Sequence, residues 1–281
     1  MALKEKIVYE KAPDASQPLS VHKLKAFVGG APVLKDISFD ISPGEILGIV
    51  GVNGAGKTTL VNVLSGIGDV SAKENSKNID YDYVYVDDVD LMSLSPQQRY
   101  EAGIHFVFEG RRLFPDLTVR ENLEIAMPIK ESKHSEKRIA EILELFPKME
   151  ALLELKAKNC SGGQQQIVAI SRAIMQYPKV LVMDEPTLGL SPTSIEAVKD
   201  VLKILSSGSV SILILEQRAS FIDSIATRRM NLQRGMLNEP INVALRAGEW
   251  KPKEETIAQP VIAPALESTE EIDEDDEWKP I

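Results

Sequence analysis

Ile46-Leu47-Gly48-Ile49-Val50, followed by Gly51-Val52-Asn53-Gly54-Ala55-Gly56-Lys57-Thr58-Thr59 and then by Leu60 to Leu64, is the stretch from which the rest of the chain is read. A buried-type apolar run, a loop of pattern G-x-x-x-x-G-K-[ST] and a helix-like run stand in the order that a phosphate-binding loop requires. Such a loop turns successive backbone N–H groups into a concave space, and its glycines let the backbone approach phosphate oxygens without an intervening Cβ. The helix N-terminus behind it favours anions. Gly51, Asn53, Gly54, Ala55 and Gly56 are therefore expected to cradle the phosphates of a nucleotide. Lys57 reaches the β- and γ-phosphates, Thr58 places its hydroxyl on Mg2+, and Thr59 reaches the α-phosphate region.

Bulk composition narrows the class. The chain has 281 residues, 43% of them hydrophobic, enough for one large or two smaller soluble domains. Its formal charge of −10 is concentrated at one end: from Glu249 onward there are 11 acids and 3 bases, which leaves 31 acids against 29 bases elsewhere. A nearly neutral body gives no general basic field for nucleic acid. The lone Cys160 offers no intramolecular disulfide and no zinc cluster. The first residues lack the apolar core of a signal peptide, and no run approaches the roughly 18 to 20 apolar residues of a spanning helix. Work at a membrane would require another chain to hold this one there.

In chain order, residues 1–18 read as a leader. A strand is expected near Leu19 to Leu24, a turn at Phe27-Val28-Gly29-Gly30, and a second strand over Val33 to Ile41. Phe27 is the candidate for stacking on a nucleotide base, although a core aromatic fits as well. Residues 66–78 read as polar and turn-like, Ile79 to Val86 as one alternating strand, and Ser95-Pro96-Gln97-Gln98 as a capped helix start. Ile104 to Phe108 reads as a buried strand ending at Glu109. About residues 116–176, the periodicity turns helical, with Val119, Leu123, Ile125, Ile139, Ile142, Leu143 and Leu145 as core-facing positions and Pro128 and Pro147 as breaks. Its last helix is expected to begin after Gly162-Gly163 and to end at Gln176. The continuous apolar run Val180 to Met183 reads as a central parallel strand, a helix is expected over Ser194 to Leu205, and Val210 to Leu215 reads as a second buried strand. The alternation of strands and helices predicts an α/β fold. Residues 249–281 read as an acidic, disordered tail.

Two further elements carry chemistry. Asp184 and Glu185 fall at the C-terminal end of a buried strand, where ligands sit in open α/β sheets. Asp184 there suits a Mg2+ shell and Glu185 the orientation and deprotonation of a water. Ser161-Gly162-Gly163-Gln164, before a helix, is a second anion nest.

The order of Gly51 to Thr59, Glu109, Ser161 to Gln164 and then Asp184-Glu185-Pro186, 23 positions after Ser161, resembles the ATP-binding subunit of an ABC transporter over about residues 19–245. The resemblance implies a P-loop NTPase of ABC ATPase type: a mainly parallel core sheet, an antiparallel β subdomain and a helical insertion within a domain spanning 19–248. It implies ATP and Mg2+, the latter held by Thr58, Glu109 and Asp184. It also implies a head-to-tail dimer with a paralogue or a second copy, in which Ser161 to Gln164 face the partner's ATP. Integral permease subunits, and indirectly an extracytoplasmic solute-binding protein, complete such importers at the cytoplasmic face of the cell membrane. Phe108-Glu109-Gly110-Arg111-Arg112-Leu113-Phe114-Pro115, Glu185 to Pro192 and Leu215-Glu216-Gln217-Arg218 are similar to importer subunits for branched-chain amino acids, urea or amides. Arg111 to Leu117 is the expected surface for the membrane partners. Three positions depart from the family pattern. Gln217 stands where a histidine usually contacts the γ-phosphate and can donate only a neutral hydrogen bond. Cys160 replaces a leucine, and Val28 stands at the base-stacking position beside Phe27. A soluble ABC ATPase and a catalytically weak partner of an active paralogue are the alternatives.

Overall fold

A computed structural model of the chain describes residues 17–68, 79–127 and 134–243. Most of the expected leader, most of the polar segment before Ile79, Pro128 and the acidic tail fall outside these residues.

The chain opens with a hairpin, β1 (Leu19–Val28) and β2 (Ala31–Ile41), and proceeds through β3 (Ile46–Val50), α1 (Lys57–Ser65), β4 (Ile79–Asp80), β5 (Tyr83–Val86), β6 (Val89–Asp90), α2 (Pro96–Glu101) and β7 (Ile104–Val107). Helices α3 (Val119–Glu124), α4 (Ser135–Leu145) and α5 (Gly162–Ala173) follow, then β8 (Val180–Asp184), α6 (Pro192–Ser207), β9 (Ser211–Glu216) and α7 (Ala219–Asp223). Short strands β10 (Arg228–Gln233), β11 (Met236–Leu237) and β12 (Ile241–Asn242) end the described chain. One sheet has the order β2-β1-β5-β6, with β4 also on β1, and its pairings are antiparallel. The other has the order β11-β10-β3-β9-β8-β7; β10, β3, β9, β8 and β7 run parallel, and β11 and β12 pair antiparallel to β10.

The continuous apolar runs follow from burial on both faces of the parallel sheet. Successive strand residues point to opposite sides. Val180, Val182, Leu213 and Leu215 join Leu60, Val61 and Leu64 of α1 and the inner face of the antiparallel sheet, including Leu24, Ile37 and Val84. Leu181, Met183, Ile212 and Ile214 join Leu123, Ile142, Val168, Ile170, Val198 and Leu202 on the helical side. The parallel sheet thus sits between the antiparallel sheet with α1 on one face and helices α3 to α7 on the other. A second tie is the bond from Lys35 N–H to Gly235 O, 2.7 Å, between β2 and the β10–β11 turn.

Helix ends follow local chemistry. Ser95, Thr118 and Ser161 each form a capping box with a Gln or Glu three residues on, at the starts of α2, α3 and α5. At the other end of α1, the buried Arg99 guanidinium donates to Val63 O and Leu64 O at 2.5 and 3.0 Å. Beyond α5, Arg138 donates to Ile174 O and Met175 O at 2.5 and 3.0 Å. Cations there complement both the orphan carbonyls and the helix dipole.

Several boundaries differ from expectation. β1 extends through Phe27 and Val28, leaving only Gly29-Gly30 as the turn, because cross-strand pairing with Pro32 and Ala31 carries the ladder to the tip. The stretch from Ile79 to Val86 is two strands, since Tyr81 and Asp82 break the ladder on β1. α5 starts at Gly162, so both glycines lie in its first turn, and it ends at Ala173. Ile125 is 53% exposed: α3 stops at Glu124, and Ala126 and Met127 take up the packing instead. Val119, Leu123, Ile139 and Ile142 are buried as expected, and Leu143 and Leu145 pack partly against the same core.

His105 on β7 gives stability a pH dependence. Its ring stacks on Tyr100 at 3.7 Å, and its nitrogens lie 2.6 Å from Ala173 O and 3.1 Å from Tyr100 O. Burial dominates over these carbonyls and lowers its pKa to about 4. The unfolded chain, with the ordinary histidine value near 6.5, binds the extra proton first, so stability is lost as pH falls from about 6.5 through about 4. Thermal melts at pH 7.5 and pH 5 are expected to show about 2 kcal/mol more acid destabilisation in the native chain than in His105→Gln. Equal pH slopes would contradict this.

Candidate nucleotide-binding site

The parallel registry sets the site. Val50 pairs with Glu216, Asp184 with Leu215 and Val107 with Met183, so β3, β9, β8 and β7 end along one edge of the sheet. The segments leaving that edge carry Gly51, Gln217, Glu185 and Glu109. This edge is where open α/β sheets bind ligands.

The loop from Gly51 to Gly56 is stitched to the sheet by Gly51 N–H donating to Glu216 O at 3.0 Å. Gly56, the N-cap of α1, has φ 112°, and a Cβ there would come within 2.8 Å of Leu34 Cδ2. Any side chain would therefore face both left-handed strain and a clash. Val52, Asn53, Gly54 and Thr58 are exposed, Thr59 is half-buried, and Ala55 is buried. Lys57 is only 4% exposed; its ammonium donates to Gly51 O at 2.8 Å and Val52 O at 3.3 Å and pairs with Glu185 Oε1 at 3.0 Å.

Asp184 ends β8 at 2% exposure, and its Oδ1 has no hydrogen-bond partner. Burial raises its pKa to about 6; the Thr58 hydrogen bond and the Lys57 charge pull it down, while Glu109 and Glu185 push it up. A buried carboxylate oxygen with unmet demand, beside a threonine hydroxyl and two further carboxylates, suits a hydrated divalent cation. Among the described residues no cluster of three or more His, Cys, Asp or Glu is arranged to hold a metal by itself. Glu185 has φ 47°, a left-handed conformation that a non-glycine residue keeps only when its surroundings impose it. Its N–H donates to Leu215 O at 2.8 Å, and its carbonyl accepts from Leu188 N–H at 3.1 Å.

The structure brings together Lys57, Thr58, Glu109, Asp184 and Glu185, with Gln217 leaving the adjacent strand end and exposed. Phe27 lies half-buried in β1, and Val28 beside it is 44% exposed. Ser161 to Gln164 form the start of α5. Ser161 and Gln164 are exposed at the start of α5, locked to each other by bonds of 2.7 and 3.3 Å. A Cβ on Gly163 would lie 2.2 Å from Ser194 Oγ, so the first turns of α5 and α6 touch through that glycine. Arg111 reaches Gln165 Oε1 at 3.3 Å and Leu188 O at 3.4 Å, joining α5 to the turn after Glu185. Cys160 points into the helical core, which explains why an apolar residue serves at that position.

Sequence reasoning assigned no part to Glu216. It is a 2% exposed carboxylate accepting bonds from Thr187, Gln217 and Arg218. The signal was an acid closing an apolar strand, the same pattern that exposed Asp184.

A phosphate loop between β3 and α1, with an Asp-Glu pair at the end of a nearby parallel strand and an antiparallel sheet and helices on either face, defines a P-loop nucleotide-binding ATPase. The chain belongs to the ABC transporter family, which residues 34–188 match. It is 35% identical, over 78% of its length and 90% of the relative, to the high-affinity branched-chain amino acid transport ATP-binding protein BraG of Pseudomonas aeruginosa. It is 33% identical, over 69% and 79%, to the probable branched-chain amino acid transport ATP-binding protein LivF of Archaeoglobus fulgidus. Among solved structures, the ADP conformation of an ATP-binding cassette of an ABC transporter is 27% identical, with a TM-score of 0.70 over 80% of this chain and 91% of the other. A dimeric bacterial ABC transporter cassette is 25% identical, with a TM-score of 0.65 over 80% and 98%. The chain is accordingly a nucleotide-binding ATPase subunit. Among the described residues, no helix is long and apolar enough to cross a membrane.

Proposed function

We propose that this chain hydrolyses ATP to power an importer for branched-chain amino acids or a related small polar solute. The observation that carries hydrolysis is the contact of Lys57 with Glu185 at 3.0 Å beside the buried Asp184. Phosphate oxygens would take the loop N–H groups and draw the Lys57 ammonium to themselves. Glu185, released from Lys57, would then orient a water toward the γ-phosphate and accept its proton. Thr58, Asp184 and Glu109 would hold Mg2+, which would supply neutralisation of phosphate charge. Gln217 would add a neutral hydrogen bond at the γ-phosphate, and Phe27 would border the base.

Ser161 to Gln164 would complete the ATP site of a second subunit, either a paralogue or another copy, in a head-to-tail dimer. The exposed, prearranged helix start supports this. The unit doing so spans 19–248, with the helical insertion at about 116–176. Gly110, Arg111, Leu113, Pro115, Ala157, Lys158 and Gln165 line a groove of about 200 Å³ next to Phe114, which is 47% exposed. This groove would receive permease subunits at the cytoplasmic face of the membrane, and through them couple to a solute-binding protein. Changing Phe114 and Leu117 to Glu is expected to leave ATP binding within about twofold and to reduce permease recovery and transport at least about tenfold. Normal assembly and transport would remove the groove from the interface.

Gln217 favours one second reading, a catalytically weak subunit paired with an active paralogue, because a neutral donor stabilises phosphoryl charge less than a cation. Affinity purification of the full chain from solubilised membranes tests the function. Recovery of integral permease subunits with a second ATPase supports it. Recovery of an active ATPase without membrane partners contradicts it.

A further inference from the structure

Glu216 closes the central strand β9 with its carboxylate inside the protein. A buried carboxylate persists only where donors satisfy it. Here one oxygen accepts from the Thr187 N–H, at 3.1 Å, and from the Thr187 hydroxyl; the other accepts from Gln217 N–H and Arg218 N–H at 2.7 and 3.1 Å. All four donors are neutral. The backbone carbonyl of the same residue accepts from Gly51 N–H at 3.0 Å. One residue therefore touches the segments leaving β3, β8 and β9, and does so at the edge where the candidate site lies.

The chemistry of Thr187 gives this contact a consequence. Thr187 sits two residues beyond Glu185, inside the turn that Leu188 N–H closes onto Glu185 O at 3.1 Å. Glu185 holds a φ of 47°, which its own preferences do not sustain. Packing alone would be served by an apolar side chain, as at Ile212 and Ile214 earlier on the strand. An apolar residue would leave the Thr187, Gln217 and Arg218 donors without this acceptor.

We propose that Glu216 is a positioning residue for hydrolysis: through Thr187 it fixes the turn that aims Glu185, and through residues 217 and 218 it fixes where Gln217 leaves the sheet. Its carboxylate is taken up by Thr187, Gln217 and Arg218, so it acts through them. The proposal rests on Glu185 being the carboxylate that activates water.

The test uses the full chain in its assembled complex. Glu216→Gln preserves size but points an amide NH2 at donors. Thr187→Val removes one hydroxyl at nearly constant volume. Turnover is expected to fall at least about tenfold in the first and about threefold in the second, since small misplacements of a reacting group are costly. The ATP dissociation constant and KM stay within about twofold, and the double variant is no slower than Glu216→Gln alone, because the two act as one unit. A merely structural role would instead shift melting temperature, nucleotide affinity and turnover together. Unchanged turnover in folded Glu216→Gln, a parallel loss of affinity and turnover, or failure of both variants to fold would each overturn the proposal. A Glu185→Gln control separates the two ideas. If it turns over normally, the base assignment fails; if it is inactive while Glu216→Gln is fully active, only the positioning role fails.

Discussion

Replacing Lys57 by methionine is expected to weaken ATP binding by about 100-fold, corresponding to roughly 3 kcal/mol. Methionine keeps the buried stem but removes the ammonium that pairs with Glu185 and bonds to Gly51 O and Val52 O. Two effects act in the same direction. The phosphates lose their charge-assisted donor. Asp184, Glu185 and Glu109 are left as three acids with no ammonium among them, so the site repels the polyanion it binds. Asp184, already raised to about 6 with the Lys57 charge opposing that shift, is expected to rise further. Calorimetric titration with MgATP reads the effect directly, and a dissociation constant within about threefold of the native value would refute the assignment of Lys57.

Glu185→Gln is expected to act on the other parameter. An amide holds a water but does not take its proton, and loss of a general base lowers turnover by about 100- to 10,000-fold. Binding is expected to be retained or tightened, because the substitution removes a carboxylate that competes with phosphate for Lys57 across 3.0 Å. The contrast between the two substitutions, one lowering affinity and the other turnover, distinguishes a binding cation from a catalytic base.

The fold was legible where one period ruled. The apolar runs of β3, β8 and β9 read directly as central strands, because burial on both faces leaves no polar positions to blur them. Ser95 and Pro96 announced α2 for an equally local reason, the capping box. β10 was not legible: Arg228-Arg229-Met230-Asn231-Leu232-Gln233 alternates weakly, and Arg228 pairs with Glu45 and Asp40, contacts made with distant sequence. The break at Tyr81 and Asp82 was hidden because period-two patterning carries across it, while the antiparallel partner that interrupts the ladder is β1, some 60 residues earlier.

The candidate site divides in the same way. Lys57, Asp184 and Glu185 were found because contiguous residues carry their chemistry. Their mutual contacts, the orphaned oxygen of Asp184 and the left-handed backbone of Glu185 depend on strand order, which no local pattern encodes. Glu216 lay inside a quoted motif, yet its role emerges only when β9 is seen between β3 and β8. Gln217 follows the end of β9 at the site edge, and Phe27 lies near the tip of the β1–β2 hairpin.

ATP turnover by the membrane complex carrying Glu185→Gln in this chain alone, with its nucleotide affinity measured in parallel, tests hydrolysis at this site most directly. A fall of at least about 100-fold with MgATP affinity retained is the expected result. Turnover equal to that of the native complex would contradict it, and would place catalysis in the partner subunit.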